Sequence, residues 1–320
     1  MSKTYILRGL GVVSSVLLLT TPAWSWGHDG HRLVAKIAAK NLTPDTRQKL
    51  AAILQTDDAG LDAAMANAAT WPDEIDKSAT GTRDWHFIDV TVTAPFSLDG
   101  LCPDHNCVVD RIKEMSDRLQ QNQTGFALAQ APDPNQPMTA QELSFLIHFV
   151  GDIHQPLHAA TDGDRGGNCV KLTKAIPHST TTEVHAVWDV DEVVAVFQDL
   201  ANSSPTPASE DQVADALFQQ YKKAGAGDWE KASVEDWAHE SNDLARADVY
   251  KKLHIPNHTA APGQCATGIA KVAITPTYLT GNVPDTEQQL MRAGIRLADM
   301  LNQICQDTGC QASPAGGSHN

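Results

Sequence analysis

The sequence predicts a mainly helical protein that folds as a single domain. Stretches with apolar residues at helical spacing cover most of the chain, whereas only two short segments have the composition of strands. No stretch separates two parts of unlike composition, and the sequence contains no internal repeat. With 320 residues, 42% of them hydrophobic, the chain is long enough to bury a large core.

The first segment is predicted to be an export signal rather than part of the fold. Residues 1–25 begin with basic residues, continue with an apolar run at 9–19 and end in small residues. This order is typical of a secretory signal peptide, and the run is too short to span a bilayer. We expect cleavage after Ser25, with cleavage after Ala23 as the alternative. The mature chain would then begin at Trp26 with a free α-amine.

The helices follow from apolar periodicity and from capping residues. The clearest is predicted at 139–153, where Thr139 and Glu142 form a capping box and Pro156 ends the segment. The other helices are predicted around Leu33, Val34 and Ile37, after the N-cap Thr43 with Pro44, and at 107–119, 184–200, 211–223, 233–252 and 285–304.

Two short segments, "DWHFIDVTV" and "NCVKLT", have strand composition and are predicted to pair as a short β-hairpin. Loops rich in proline, glycine or polar residues are predicted at 91–104, 122–138, 160–168, 201–210 and 255–284. The tail at 312–320 is predicted to be disordered.

The charge of the chain restricts its partners. The formal net charge is −15, and such a surface repels nucleic acid and anionic membranes at long range. A phosphate-ester substrate would therefore need a local source of positive charge, which bound metal ions could supply.

The cysteines predict crosslinks rather than a thiolate metal site. Six cysteines in an exported chain suggest three disulfides, and the sequence contains no CxxC pair. Of the fifteen possible pairings we expect the two local ones and the one that they leave, namely Cys102–Cys107, Cys305–Cys310 and Cys169–Cys265.

The segment "LIHFVGDIHQPLH" carries ionisable residues within an apolar helix. His148 and Asp152 are four residues apart, so they share one face and could hold one cation. His154 lies roughly 240° around the helix from His148 and should not join them. His158 lies beyond Pro156, where the chain has turned and can return to the cluster. The alternative is a hydrogen-bonded His–Asp pair in the core.

Further histidines and carboxylates occur in short motifs. The motif "VHAVWDV" repeats the four-residue spacing with His185 and Asp189, while "WGHDGH", "TWPDEID" and "DWHFIDV" supply His31, Asp73 and His86. Histidine and carboxylate without cysteine is the usual ligand set of catalytic zinc. Two or more zinc ions close together suit displacement at phosphorus. Each pair alone could instead be a structural hydrogen bond.

The motifs "WGHDGH", "WPDE", "WHFIDV", "FLIHFVGDIHQPLH", "GGN" and "HAVWD", in that order, resemble the S1/P1 nuclease family of exported zinc nucleases. The resemblance implies a helical catalytic domain of the phospholipase C/P1 nuclease type over residues 26–311. It also implies hydrolysis of single-stranded DNA and RNA to 5′-phosphate products, together with 3′-nucleotidase activity on nucleotides.

The resemblance further implies three Zn²⁺ ions. The first would be held by Trp26, His31 and Asp152, the second by Asp73, His86, His148 and Asp152, and the third by His158, His185 and Asp189. Trp26 would contribute its α-amine and carbonyl, and Asp152 would bridge the first two ions. The paired ions would activate water for in-line attack, and the third would stabilise the departing 3′-oxygen. Asp73 would also orient the attacking water.

Three further residues resemble the substrate contacts of the family. Phe87 would stack on a base and Asp89 would bind the base edge, which favours single strands because their bases are free. Asn168, in the motif "DRGGN", would contact substrate near the zinc ions. The alternatives are a core position for Phe87 and an ordinary turn at the glycines.

One position departs from the family. Relatives often carry an arginine near the phosphate, three residues after the aspartate of "WPDE", and this chain has Asp76 there. Arg165 in the glycine loop, or Arg83 before "WHF", could take over that contact.

Two other functions remain open. One is a phospholipase C-type phosphodiesterase, and the other is an exported zinc-binding protein without catalysis. Phospholipases carry a glutamate at the place of Asp189, which favours the nuclease, as do Phe87 and Asp89. A cysteine-free ligand set with room for water speaks against storage. We expect a monomeric enzyme, secreted or periplasmic, that acts on nucleic acid and not on membranes.

Overall fold

A computed structural model describes residues 26–123, 138–202, 208–225 and 229–312 of the chain. Helices dominate these ranges, so the predicted mainly helical class is confirmed. The predicted signal peptide, the tail from residue 313 and parts of the predicted loops at 122–138 and 201–210 lie outside the described residues.

The α-helices of the described ranges are α1 (Gly27–Ala39), α2 (Pro44–Ile53), α3 (Leu61–Glu74), α4 (Lys77–Thr80), α5 (Val108–Gln121), α6 (Met138–His154), α7 (Val184–Ala186), α8 (Glu192–Asn202), α9 (Glu210–Ala224), α10 (Val234–Leu244) and α11 (Pro276–Ile304). Between them lie the 3₁₀ segments Arg83–His86, Pro103–His105, Pro156–Ala159 and Trp229–Lys231, and the π-helical segments Val187–Asp191 and Ala245–Lys251.

Helix α6 forms the centre of the fold. Every side chain from Ala140 to His154 is buried, which is typical of a helix surrounded by others on all sides. Helices α3, α5 and α11 pack against it, and α1 packs against both α3 and α11. The polar residues of α6 therefore face helix neighbours rather than solvent.

The predicted capping box of α6 is wrong. The helix begins at Met138, so Thr139 lies in its first turn instead of at the cap. Glu142 accepts a hydrogen bond from Nε of Arg118 on α5 at 2.9 Å. Its carboxylate thus serves a contact between helices, which the local sequence does not reveal.

Helix α11 begins nine residues earlier than predicted, at Pro276 instead of residue 285. Thr275 caps it by accepting the N–H of Tyr278 at 3.1 Å, and Pro276 occupies the first helical position. Pro284 lies inside the helix, and together with Gly281 it led to the prediction of a loop. Tertiary packing here overrides two helix-breaking residues.

Two helical features were not predicted. Helix α3 contains Pro72 near its end, and the motif "TWPDEID" was not recognised as helical. The helix predicted at 184–200 is interrupted by the π-helical segment Val187–Asp191, which contains Asp189. Single π turns are often found at functional sites, because they shift a side chain relative to a regular helix.

The predicted β-hairpin is not confirmed. Among the described residues, β-structure is limited to the isolated bridges Thr91–Thr161, Lys171–Glu183 and Leu172–Val272. The segment after His86 runs instead beside the segment after His158, with Ile88 N donating to His158 O at 2.8 Å. This pairing brings two of the histidine motifs together.

All six cysteines lie in the described ranges and form the three predicted disulfides, Cys102–Cys107, Cys169–Cys265 and Cys305–Cys310. Among the described helices, none is long and apolar enough to cross a membrane.

Candidate active site

Asp152 lies at the centre of a buried cluster in which α1, α6 and the 3₁₀ segment Arg83–His86 meet. Its Oδ1 lies 3.3 Å from Nε2 of His31. Its Oδ2 lies 3.0 Å from Nδ1 of His86 and 3.2 Å from Nε2 of His148. One carboxylate thus faces histidines from three elements, and each of its oxygens has a different set of neighbours.

Asp73, near the end of α3, adds a second carboxylate to this cluster. Its Oδ1 lies 3.6 Å from Nε2 of His148 and 3.8 Å from Nδ1 of His86. Lys77 Nζ lies 2.5 Å from the same oxygen. Two groups in this region bring their ligand atoms close enough to hold a metal ion: His31 with Asp73 and His148, and His86 with His148 and Asp152.

A third group joins His158, His185 and Asp189, each of which offers a ligand atom within 4.8 Å of the others. His185 Nε2 lies 3.6 Å from Oδ2 of Asp189. The other oxygen, Oδ1, accepts a hydrogen bond from Nε2 of Gln155 at 2.7 Å. The π-helical segment therefore presents Asp189 with one oxygen fixed by the protein and the other directed to the histidines.

Backbone carbonyls set the tautomers of three histidines. Nδ1 of His148 bonds to Ala69 O at 2.7 Å, that of His158 to His86 O at 2.6 Å, and that of His185 to Gly166 O at 2.7 Å. A carbonyl oxygen only accepts, so each Nδ1 carries the proton. When the ring is neutral, its Nε2 then has a free lone pair, as a metal ligand requires.

Unpaired buried atoms show that these residues fit a metal ion. Nε2 of His158 and Oδ2 of Asp189 are both buried and without a hydrogen-bond partner, and both belong to the third group. Leaving such acceptors unpaired in a folded protein is costly. Imidazole nitrogens and carboxylate oxygens together are the donor set of zinc, so a cation at this point would satisfy both atoms.

Asp152 and Asp73 raise the pKa of His148 despite its burial, whereas burial dominates at three other candidate ligands. Burial lowers the pKa of His86 to about 4 and that of His158 to about 3, so both rings are neutral at neutral pH. It raises the pKa of Asp189 to about 7, since an ionised carboxylate is costly to bury without a cation. Neutral imidazoles beside carboxylates in need of a cation are suited to metal binding.

Close packing at Gly151 explains how His31 reaches the cluster. A Cβ atom at Gly151 would lie 2.6 Å from Nδ1 of His31, which no real contact allows. The glycine next to Asp152 thus lets α1 approach α6.

Trp26 is fully buried at the start of α1. Its main-chain nitrogen lies 3.1 Å from Oδ1 of Asp189, and its carbonyl accepts the N–H of Gly30 at 3.1 Å. The main-chain nitrogen of Trp26 therefore lies beside Asp189 of the third group, whereas the family resemblance assigns its α-amine to the first ion with His31 and Asp152.

A cleft of about 510 Å³ opens onto the cluster. His86, His158 and His185 lie along it, and the predicted substrate residues Phe87, Asp89, Arg165 and Asn168 line the same space. Phe87 is half-buried at the cleft and is not a core residue, which argues against the core alternative. Burial raises the pKa of Asp89 to about 6, with the charge of Asp164 as a further cause.

Lys77 is a cation that the sequence analysis missed. Asp76, at the position where relatives often carry arginine, accepts the backbone N–H groups of Ser78 and Ala79 as the cap of α4. The next residue, Lys77, lines the cleft beside Asp73. Its spacing of four residues from Asp73 was the available signal. Arg83 and Arg165 line the cleft as well, and both are exposed.

Gln155 was missed for a different reason. It reaches Asp189, which is 34 residues away in sequence, while its Oε1 caps the 3₁₀ segment Pro156–Ala159. No local pattern marks such a contact.

A helical domain that gathers histidines and aspartates around an open cleft, without cysteine ligands, is typical of metal-dependent hydrolases. A model of the S1/P1 nuclease family matches residues 26–306 of the chain. The chain belongs to the S1/P1 nuclease family, whose members are generally zinc-dependent, and it is accordingly a nuclease, a hydrolase of phosphodiesters.

Individual relatives agree with this assignment. Endonuclease 3 of Arabidopsis thaliana is 30% identical over 316 residues, which cover 91% of this chain and 94% of that protein. Nuclease P1 of Penicillium citrinum is 25% identical over 293 residues, 87% of this chain and 97% of the relative. Nuclease S1 of Aspergillus oryzae is 31% identical over 190 residues, 58% of this chain and 60% of the relative.

Proposed function

We propose that the chain is a secreted zinc-dependent endonuclease that hydrolyses single-stranded DNA and RNA to 5′-phosphate products, and that it also removes the 3′-phosphate of nucleotides. The observation that carries this proposal is the cleft. It joins His86, His158 and His185 to an accessible aromatic ring and to hydrogen-bonding groups suited to a nucleotide. The fold alone would not distinguish this substrate from others.

Three zinc ions are proposed, with nine residues as ligands. The first ion would be held by Trp26, His31 and Asp152, the second by Asp73, His86, His148 and Asp152, and the third by His158, His185 and Asp189. Bound zinc would supply Lewis-acid chemistry and, in a chain of net charge −15, the positive charge that a phosphodiester needs.

The chain's own residues would orient the reactants. The side chain of Asp73 is buried next to Lys77, and its carboxylate can accept a hydrogen bond from the attacking water. Lys77 and Arg165 would contact the phosphate from two sides of the cleft. Asn168 donates from Nδ2 to Arg165 O at 2.8 Å, and this bond fixes the loop on which both residues lie.

Phe87 and Asp89 would bind the base. A half-buried ring at a cleft wall can stack on any base, and a neighbouring carboxylate can accept from amino groups of the base edge. Both contacts require an unpaired base, so we propose a preference for single strands.

One assay tests the function. Purified, zinc-loaded protein is offered RNA, single-stranded DNA, duplex DNA and phosphatidylcholine, with and without chelator, and the ends of the products are analysed. We expect chelator-sensitive cleavage of single strands with 5′-phosphate ends. Cleavage of phosphatidylcholine alone would indicate a phospholipase, and zinc binding without any hydrolysis would indicate a storage protein; either result contradicts the proposal.

We also propose how the chain is processed and in which oligomeric state it occurs. Removal of residues 1–25 would free the α-amine of Trp26, at a site that is already buried beside Asp189. N-terminal sequencing of the exported protein should read Trp26 first, and a different start would remove the amine from the ligand set. We propose a catalytic domain of residues 26–311, a monomer, and a periplasmic or extracellular location. Light scattering would test the oligomeric state.

A further inference from the structure

A second cavity, of about 480 Å³, lies next to the cleft. Phe87 lines both spaces, as do Asp84, Asp89, Arg165 and Gly263. No ligand described above reaches into the second cavity. A polymeric substrate whose base stacks at Phe87 must extend in some direction, and this cavity is continuous with the proposed binding site.

One wall of the cavity is a loop at residues 260–264, and a backbone hydrogen bond and a disulfide just beyond it fix its position. Ala266 N donates to Gly163 O at 2.8 Å, and the Cys169–Cys265 disulfide ties the loop to the glycine-rich segment. Gly163 has φ +69°, and a Cβ there would lie 2.8 Å from Ala260 N. The close approach of the two segments therefore depends on glycine.

Buried polar groups that do not line the cavity hold the same wall in place. His258 N donates to Oδ2 of Asp162 at 2.9 Å, and Tyr250 OH donates to Asp164 at 2.9 Å. Asp162 and Asp164 flank Gly163, so these bonds hold both sides of the turn. The wall is thereby ordered before any ligand binds, which lowers the entropic cost of binding.

Another part of the wall comes from the loop at residues 101–107, which is fixed to the segment of Phe87. The Cys102–Cys107 disulfide closes this loop. Val108 N donates to Phe87 O at 3.2 Å, and Nδ2 of Asn106 donates to Oδ2 of Asp84 at 3.3 Å. Two disulfides from distant parts of the chain thus shape one cavity.

The lining indicates the chemistry of the ligand. Leu101 and Ala261 contribute apolar surface, and Asn106 and Gln264 contribute amide groups. Among the described residues that line the cavity, Asp84 and Asp89 carry carboxylates and Arg165 carries a guanidinium. A phosphate would be repelled by the two carboxylates, and an acyl chain would leave the polar groups without partners. A flat heterocycle with donors and acceptors on its edge suits both kinds of surface.

We infer that this cavity holds the base of the nucleotide next to the one bound at Phe87, so that the enzyme binds two consecutive nucleotides of a single strand. This inference rests on the proposed function and extends it. The second base stacks on the side of the Phe87 ring that faces away from the first base. Asn106 and Gln264 bind the edge of this second base. The second site makes an oligonucleotide a better ligand than a mononucleotide.

Equilibrium binding to the zinc-loaded full chain tests the inference. The probes are deoxyadenosine 5′-monophosphate and a dinucleotide of deoxyadenosine with a phosphorothioate linkage, which resists hydrolysis, and affinities are measured by titration calorimetry. We expect the dinucleotide to bind about tenfold more tightly, in line with one added stacked base. Ala261→Trp and Leu101→Trp, which fill the cavity from two different loops, should each remove this advantage and leave the mononucleotide affinity within about twofold.

Ala270→Trp is the matched control. It places the same side chain on an exposed position of the same loop region, outside the residues that line the cavity. It should keep the dinucleotide preference. Equal affinities of the two probes for the wild-type protein, or a preference that survives both filled variants, would overturn the second base site. If neither probe binds, the proposed function itself fails. If the filled variants lose affinity for dihexanoylphosphatidylcholine instead, the cavity is an acyl site and the inference is wrong.

Discussion

His154 and His158 are four residues apart and have opposite surroundings. His154 donates from Nδ1 to Val150 O at 2.7 Å and accepts at Nε2 from Arg296 at 2.9 Å, so both ring nitrogens are occupied. His158 has a protein partner for Nδ1, whereas its Nε2 is buried and unpaired. Within one motif, His154 therefore has a structural role, whereas His158 is a proposed metal ligand.

Zinc content tests this separation. His154→Ala should retain the proposed three ions and lower the free energy of unfolding by about 1–3 kcal/mol, because a buried guanidinium loses one partner. Asp152→Ala should lose both ions that this carboxylate is proposed to bridge. Inductively coupled plasma mass spectrometry of dialysed protein gives the stoichiometry. Equal zinc loss in the two variants would contradict the assignment.

Lys77 is expected to bind the phosphate in place of the missing arginine. Lys77→Gln should lower kcat/KM on single-stranded DNA roughly 10- to 100-fold, the value of one charge-assisted hydrogen bond. Lys113→Gln is the control, because Lys113 also pairs with a carboxylate, that of Glu235, but lies outside the residues that line the cleft. If Lys77 only neutralises Asp73, the substitution should change zinc affinity and leave the affinity for inorganic phosphate as it was.

At the scale of elements, the π-helical segment Val187–Asp191 leads directly into α8, and the first residue of α8 is a buried glutamate. Glu192 accepts from Nδ2 of Asn282 on α11 at 3.0 Å, and burial raises its pKa to about 8. Asp191 and Asp248 add to the increase, and Lys252 opposes it. This polar contact ties the segment that carries Asp189 to the longest helix.

Glu192 should make stability depend on pH. A carboxyl pKa that is higher in the folded state than its ordinary 4.5 contributes stability below pH 4.5, and this contribution is lost as the pH rises towards 8. Glu192→Gln keeps a neutral acceptor for Asn282. At pH 7.5 it should therefore raise the free energy of unfolding by roughly 2–4 kcal/mol, because each pH unit between the unfolded-state and folded-state pKa values corresponds to about 1.4 kcal/mol. Urea unfolding from pH 5 to 8 measures the difference, which should grow with pH; a constant difference would contradict the prediction.

The sequence predicts where helices occur better than it predicts the residues at which they begin and end. Caps such as Thr43 before Pro44 are local, and the structure confirms that one. The start of α6 and the role of Glu142 depend on Arg118 of another helix. The predicted hairpin is not confirmed, because the two segments of strand composition form bridges with other segments, and composition does not specify the partner.

For the site, spacing identified the pairs that lie on one helix, His148 with Asp152 and His185 with Asp189. Both pairs lie within 3.6 Å in the structure. Spacing could not identify Gln155, or the carbonyls that hold each imidazole, because these contacts join distant segments. The family resemblance, rather than periodicity, suggested how the motifs combine.

At the scale of the whole molecule, the disulfides should contribute unequally. Cys169–Cys265 closes a loop of 96 residues, whereas Cys102–Cys107 closes one of 5. On chain entropy, removal of the first by Cys→Ser pairs should cost about 4–5 kcal/mol, and removal of the second about 2 kcal/mol. Thermal unfolding of the two double variants compares them. A larger loss from the short loop would show that local strain or packing outweighs chain entropy.

Gly151 limits how far the thermal stability of this enzyme could be increased. A glycine inside a helix costs about 1 kcal/mol relative to alanine, so a search for thermostabilising substitutions would select it together with Gly281 of α11. The two glycines differ in the room available for a Cβ atom. A Cβ at Gly281 would have no atom within 4 Å, whereas one at Gly151 would collide with His31. Gly281→Ala should raise the melting temperature and keep activity, while Gly151→Ala should lose zinc. In α6, heat tolerance and catalysis therefore compete for the same position.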